Sequence, residues 1–103
     1  MSFESTGSTF NLSENQLLSL KAEAEQGGAE AAFKLYQYYS FSKFEPATSL
    51  SWLKKSSELG WGKAQHHLAF YHFREKDFEQ ADFWATRAIF SGEEKAKRYL
   101  KSS

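Results

Sequence analysis

The amino-acid sequence matches itself at a fixed offset. Sliding it by 33 residues places Gly27 on Gly60, Ala31 on Ala64, Leu35 on Leu68 and Tyr38 on Tyr71. A further slide by 32 places Trp52 on Trp84, Gly60 on Gly92, Lys63 on Lys95, Ala64 on Ala96 and Leu68 on Leu100. A period of this length is the signature of a stacked-repeat architecture, in which each repeat is one supersecondary unit. The matches also keep helical spacing. Ala31, Leu35 and Tyr39 stand at i, i+4 and i+8, as do Ala64, Leu68 and His72. Each set forms one stripe on a helix face, with a small residue where backbones must approach.

Helix punctuation follows the same period. Ser13-Glu-Asn-Gln16 reads as an N-cap with its capping-box partner, opening a helix through Leu17, Leu18, Leu20 and Ala24 that Gly27-Gly28 stops. A second helix is predicted over 29–40. Pro46 suits a first helical position, where its missing N–H costs nothing, and starts a helix with Leu50, Trp52 and Leu53 that ends at Gly60. A fourth covers 62–74. The polar turn Arg74-Glu-Lys-Asp77, with Asp77 as cap, leads to a fifth over 77–91 stopped by Gly92, and a short sixth spans 93–101. No stretch shows the period-2 alternation of a strand. The expected fold is therefore all-α: a short α-solenoid of stacked antiparallel helix pairs, about six helices in all. It divides into an N-terminal arm over 1–12, a candidate for flexibility, and one domain over 13–103, with a half repeat 13–27, full repeats 28–60 and 61–92, and a half repeat 93–101.

Composition narrows the chemistry. With 103 residues, 41% of them apolar and 17% aromatic, the chain can bury one core without a metal or disulfide. It has no run approaching the ~20 apolar residues of a membrane-spanning helix. The absence of cysteine excludes disulfides, thiolate nucleophiles and zinc ribbons. Residues 1–10 lack the basic start and apolar stretch of a secretory signal, so a cytoplasmic location is expected. Thirteen Lys+Arg balance thirteen Asp+Glu, leaving no cationic surplus for nucleic acid. The balance hides a gradient, because residues 1–50 carry net −3 and residues 51–103 net +3.

These residues carry a family resemblance. The helix pattern Ala31-x-x-x-Leu35-x-x-Tyr38-Tyr39, repeated as Ala64-x-x-x-Leu68-Ala69-x-Tyr71, is followed by a second helix with an aromatic and a small residue before a closing glycine. It resembles the Sel-like repeat, a member of the tetratricopeptide-like helical-repeat superfamily. Lys76-Asp-Phe-Glu-Gln-Ala81 with Arg87-Ala88 is closer still to the general tetratricopeptide pattern. The turns 40–46 and 73–77 depart from the Sel-like form in lacking glycine, and the period is a few residues short. The resemblance covers residues 13–101. It implies a right-handed superhelix with a concave side that binds other proteins or peptides and has no chemistry of its own.

On the helix over 62–74, His66, Phe70 and Phe73 stand at i, i+4 and i+7 and form a second stripe, with Phe33 and Gln37 in the equivalent places one repeat earlier. Lys63, Arg74, Lys95 and Arg98 add positive charge. An aromatic ridge with a basic rim suits protein binding, since rigid rings give contact area at small entropic cost and charges set orientation. The expected partner-binding residues are therefore Phe33, Gln37, Lys63, His66, Phe70, Phe73 and Arg74. The same spacing also suits core packing for the Phe residues. Trp52 and Trp84, at equivalent repeat positions, read as core or as packing between repeats. Trp61 reads either as a staple for the next helix or as an exposed contact, and Phe41 and Phe44 are surplus rings in a loop.

Other chemistry is weakly supported. His66 and His67 point about 100° apart, and no carboxylate sits at an HExxH-like spacing, so no metal and no cofactor is expected. Glu93 and Glu94 suit a helix N-terminus better than acid–base work. Nothing brings a nucleophile, a base and an orienting group together, so no enzyme activity is expected. The leading expectation is a small adaptor for a protein or peptide; bacterial immunity or chaperone-like escort would be one instance by family analogy. The alternative is a self-assembling module, in which the C-terminal edge at Leu100 joins another copy as a homo-oligomer. Neither nucleic acid nor a membrane is an expected partner.

Overall fold

What ends each helix explains the architecture. The structure, a computed structural model, describes residues 12–101, and nearly all of the expected arm lies outside the described residues. Five α-helices follow one another: α1 (Glu14–Glu25), α2 (Ala29–Phe41), α3 (Pro46–Glu58), α4 (Gly62–Arg74) and α5 (Phe78–Phe90). The last element is a 3-10 helix, Glu94–Tyr99. Ser13 and Gln16 form the expected capping box, Pro46 opens α3, and the Asp77 carboxylate accepts from the Gln80 N–H.

After α1, α3 and α5 the chain reverses through one repeated device. Gly27, Gly60 and Gly92 have φ of 99°, 98° and 97°. The residue after each glycine donates its N–H back into the helix just ended: Gly28 to the Glu23 carbonyl (2.9 Å), Trp61 to Ser56 (3.1 Å) and Glu93 to Ala88 (2.9 Å). This is the Schellman closure, which needs a left-handed residue and so favours glycine. After α4 the same closure, Asp77 N–H to His72 carbonyl at 2.9 Å, is made with Lys76 at φ 64°. There a side chain occupies the strained position.

The short turns lay each helix against its neighbours, α2 on α3 and α4 on α5 within repeats, and α1 on α2, α3 on α4 and α5 on the 3-10 helix between them. The described residues are all-helical, arranged as an α-solenoid of consecutive pairs. Small residues permit the close approach: Ala31, Ala64, Ala81, Ala85, Ala88 and Ala96 are all 5% exposed or less. Leu35 and Leu68 are buried at equivalent places, at 0% and 1%. Hydroxyl and amide groups pin the helices together, with Ser56 Oγ donating to the Ala29 carbonyl at 2.8 Å and Ser49 Oγ to that of Tyr36 at 3.2 Å. Gln65, 5% exposed, donates to the Ser57 carbonyl (3.1 Å) and accepts from the Ser91 hydroxyl (3.0 Å), so it ties α3 and α5 to α4.

The final segment differs from the expected helix over 93–101. As a 3-10 helix with three residues per turn it sets Ala96 and Tyr99 one above the other, and both are buried, at 0% and 8%. Lys101 anchors its end, through its N–H to Asp82 Oδ1 (3.0 Å) and its ammonium to Glu79 Oε2 (2.9 Å).

No heavy atom outside its own chain neighbours lies within 4 Å of a Cβ built on Gly60, so Gly60→Ala tests the backbone alone. We expect a loss of about 1–2 kcal/mol from the left-handed conformation. Lys76→Gly should change stability in the opposite direction, by up to about 1 kcal/mol. Urea unfolding followed by circular dichroism checks both.

Candidate interaction groove

The second stripe of each repeat's first helix is where neighbouring repeats meet. Phe33 on α2 is only 7% exposed, roofed by His67 at 5.5 Å and Trp61 at 6.4 Å between ring centroids. One repeat later, His66 packs against Tyr99 at 5.6 Å. His67 and Tyr99 are themselves 32 residues apart, so Phe33–His67 and His66–Tyr99 are the same contact in successive repeats. Phe33 is thus core rather than a partner-binding residue, because a stacked repeat needs a ring there to be covered by the next one. Tyr99 also touches Phe70 (5.7 Å) and Phe73 (5.3 Å), and Phe73 meets Phe78 edge-on at 5.5 Å. His66, Phe70 and Phe73 do form one stripe, and that stripe seats Tyr99.

Gln37 is set apart from the rest. It lines a separate shallow groove between α1 and α2, beside Leu12, Gln16, Leu20 and Lys34. Trp61 is the residue before α4 and is partly buried against the Phe33 and Leu68 cluster, which makes it a staple. Trp52 packs on the Tyr38–Tyr39 core, and Trp84 on two core clusters at once.

The larger groove opens between α2, α3 and α4. Tyr36 and Phe41 come from α2, Leu50 and Leu53 from α3, and His67, Phe70, Tyr71 and Arg74 from α4, with Phe44 and Pro46 at the turn. Of the expected site residues, Phe70 and Arg74 line it. Phe70 is 42% exposed, Tyr71 36%, and Phe44 74% with φ 56°, a conformation costly for a bulky side chain. The Arg74 guanidinium lies over the Phe70 ring at 5.5 Å. Lys63 is exposed on the same helix.

Tyr36, His67 and Tyr71 are groove residues that the stripe counted from His66 misses. Counting from Lys63 finds one of them: Lys63, His67, Phe70 and Arg74 stand at i, i+4, i+7 and i+11. The Tyr36 hydroxyl lies 3.1 Å from His67 Nδ1. Burial raises the Tyr36 phenol above its ordinary value and is the main cause lowering the His67 imidazole, helped by His66 and Lys63 and opposed by Glu93. Near neutral pH both groups are therefore uncharged, and they share a neutral hydrogen bond. The bond joins α2 to α4 across the repeat boundary. His72 is likewise held low, chiefly by burial, with Asp77 Oδ2 at 3.9 Å pulling the other way.

Comparison with known proteins sets the chain beside one relative. It is 32% identical over 108 aligned residues to the uncharacterized protein YibG of Escherichia coli (strain K12), an alignment covering 94% of this chain and 68% of that protein. The chain belongs to the YibG family. No family model matches it, and no solved structure matches it significantly. Among the described residues of this YibG-family chain, no helix is long and apolar enough to cross a membrane, and no three His, Asp or Glu side chains gather as a metal-binding group.

The lowered histidines fix the sign of a pH effect. An unfolded imidazole takes up a proton near its ordinary value of 6.5, while folded His67 and His72 resist until lower pH. Their contribution to stability is complete above that value and is lost as pH falls through their lower folded values. Thermal unfolding from pH 7.5 to 5 should show a falling midpoint, and His67→Gln should flatten the slope. An unchanged slope in that variant would rule out His67 as its source.

Proposed function

We propose that this YibG-family chain is a non-catalytic, Sel-like or tetratricopeptide-like repeat adaptor that binds a protein or peptide partner in the groove between α2, α3 and α4. The observation that carries this reading is the open groove itself. It joins apolar walls, Leu50 and Leu53, to partly exposed rings, Phe70 and Tyr71, with an arginine at one end. Half-exposed rings held on rigid helices are the usual anchors of protein interfaces. The partner sought is cytoplasmic, and no cofactor enters the reading.

Phe70→Ala and Tyr71→Ala, alone and together, test it through affinity capture from the source cell followed by binding measurements with the captured partner. Truncating an anchor ring typically costs about 2 kcal/mol or more, so each single variant should weaken binding roughly 30-fold while its helical content stays normal. A folded double variant that retains the partner at full strength would move the site elsewhere.

Self-assembly is the second reading, favoured by Leu100, which is 37% exposed where its repeat equivalents Leu35 and Leu68 are covered. Sedimentation over a concentration series decides it, since a constant monomer up to the highest concentration excludes this reading.

A further inference from the structure

The exposed face of α4 carries more than apolar surface. Lys63, His67, Phe70 and Arg74 follow at i, i+4, i+7 and i+11, and all four are exposed along one face. Eleven residues are three turns and about 20°, so the two cations stand on the same line, roughly 16 Å apart along the helix. Between them lie an imidazole and a phenyl ring. Among the described residues neither Lys63 nor Arg74 is in an ion pair; the Arg74 guanidinium rests on the Phe70 ring instead. The nearby carboxylates are engaged elsewhere or stand at the rim: Glu93 Oε1 lies 3.8 Å from His66 Nδ1, and Glu75 borders the groove beside Arg74. Exposed cations that are in no ion pair, at both ends of a strip carrying two rings, are complementary to a partner with the opposite pattern.

We infer that the groove, continued along α4 past its own lining to the exposed Lys63, takes an acidic amphipathic helix of another protein, with an apolar stripe over Phe70 and a carboxylate at each end for Lys63 and Arg74. This rests on the groove reading above and names the chemistry of its partner. A helix is the matching shape because it repeats the spacing of the two cations on one face. The apolar stripe supplies contact, while the two charge pairs at the rim set direction and register.

The probe is a terminally blocked helical peptide of about 20 residues, long enough to hold helix. It carries a Leu/Phe stripe flanked by two Glu at the Lys63–Arg74 spacing, and it is paired with twins bearing Lys or Gln in place of both Glu. Fluorescence anisotropy at low salt should show the Glu peptide binding at least about tenfold tighter than the Lys twin, with the gap closing as salt shortens the screening length. A chain with Lys63→Glu and Arg74→Glu should reverse the order. Lys63→Gln with Arg74→Gln should abolish the preference while circular dichroism stays unchanged. Glu75→Gln should strengthen Glu-peptide binding.

Equal binding of all three peptides, weakened alike by Phe70→Ala, would overturn the charge assignment and leave the groove reading standing. Absence of binding by any of them would overturn both. Persistence of the Glu preference in the charge-reversed chain would sink the assignment to Lys63 and Arg74.

Discussion

A pair of helices cannot bury both of its apolar faces by itself, and this constraint organises the molecule. Each first helix turns one stripe toward its own partner helix and a second toward the next repeat. Leu35 and Leu68 satisfy the first requirement. Phe33 beneath His67 and His66 beneath Tyr99 satisfy the second, at nearly equal ring separations of 5.5 and 5.6 Å. The left-handed glycines after alternate helices bring the chain back at the right distance for that covering to occur.

Much of this was legible in the residues. Capping signals, the proline that opens α3 and the recurring glycines locate every helix to within a residue or two, because helix ends are decided by local chemistry. The closing segment is a short helix, as the spacing predicts, but its 3-10 winding, which seats both Ala96 and Tyr99 against α4 and α5, is encoded by no local signal. The candidate site was read less well. The stripe counted from His66 and the one counted from Lys63 share Phe70, but the first turns His66 and Phe73 toward Tyr99 of the following segment, while the second brings His67 and Arg74 to the groove. Periodicity distinguishes faces of a helix but does not say which face a later repeat will cover. Gln37 illustrates the same point, as its counterpart Phe70 borders one groove and it borders another.

The groove wall is itself part of the scaffold. Tyr36 and His67 meet across the boundary between α2 and α4, so the surface offered to a partner is built from contacts that also hold adjacent repeats in register. Such a wall is preorganised, and little ordering remains to be done when a ligand arrives. Two serine hydroxyls of α3, those of Ser49 and Ser56, act in the same direction from behind, since each ties its helix to a carbonyl of α2.

Trp84 carries a further consequence. Its side chain is shared between the cluster around Leu68 and the one around Ala85, so neither can loosen without exposing the same indole. In a linear array whose units interact only with neighbours, coupling of this kind decides whether the array frays from an end or melts as a whole. A large ring common to two interfaces raises the coupling between them. The two clusters on either side of Trp84 are thereby coupled, which disposes that part of the solenoid to loosen together rather than to fray from its end.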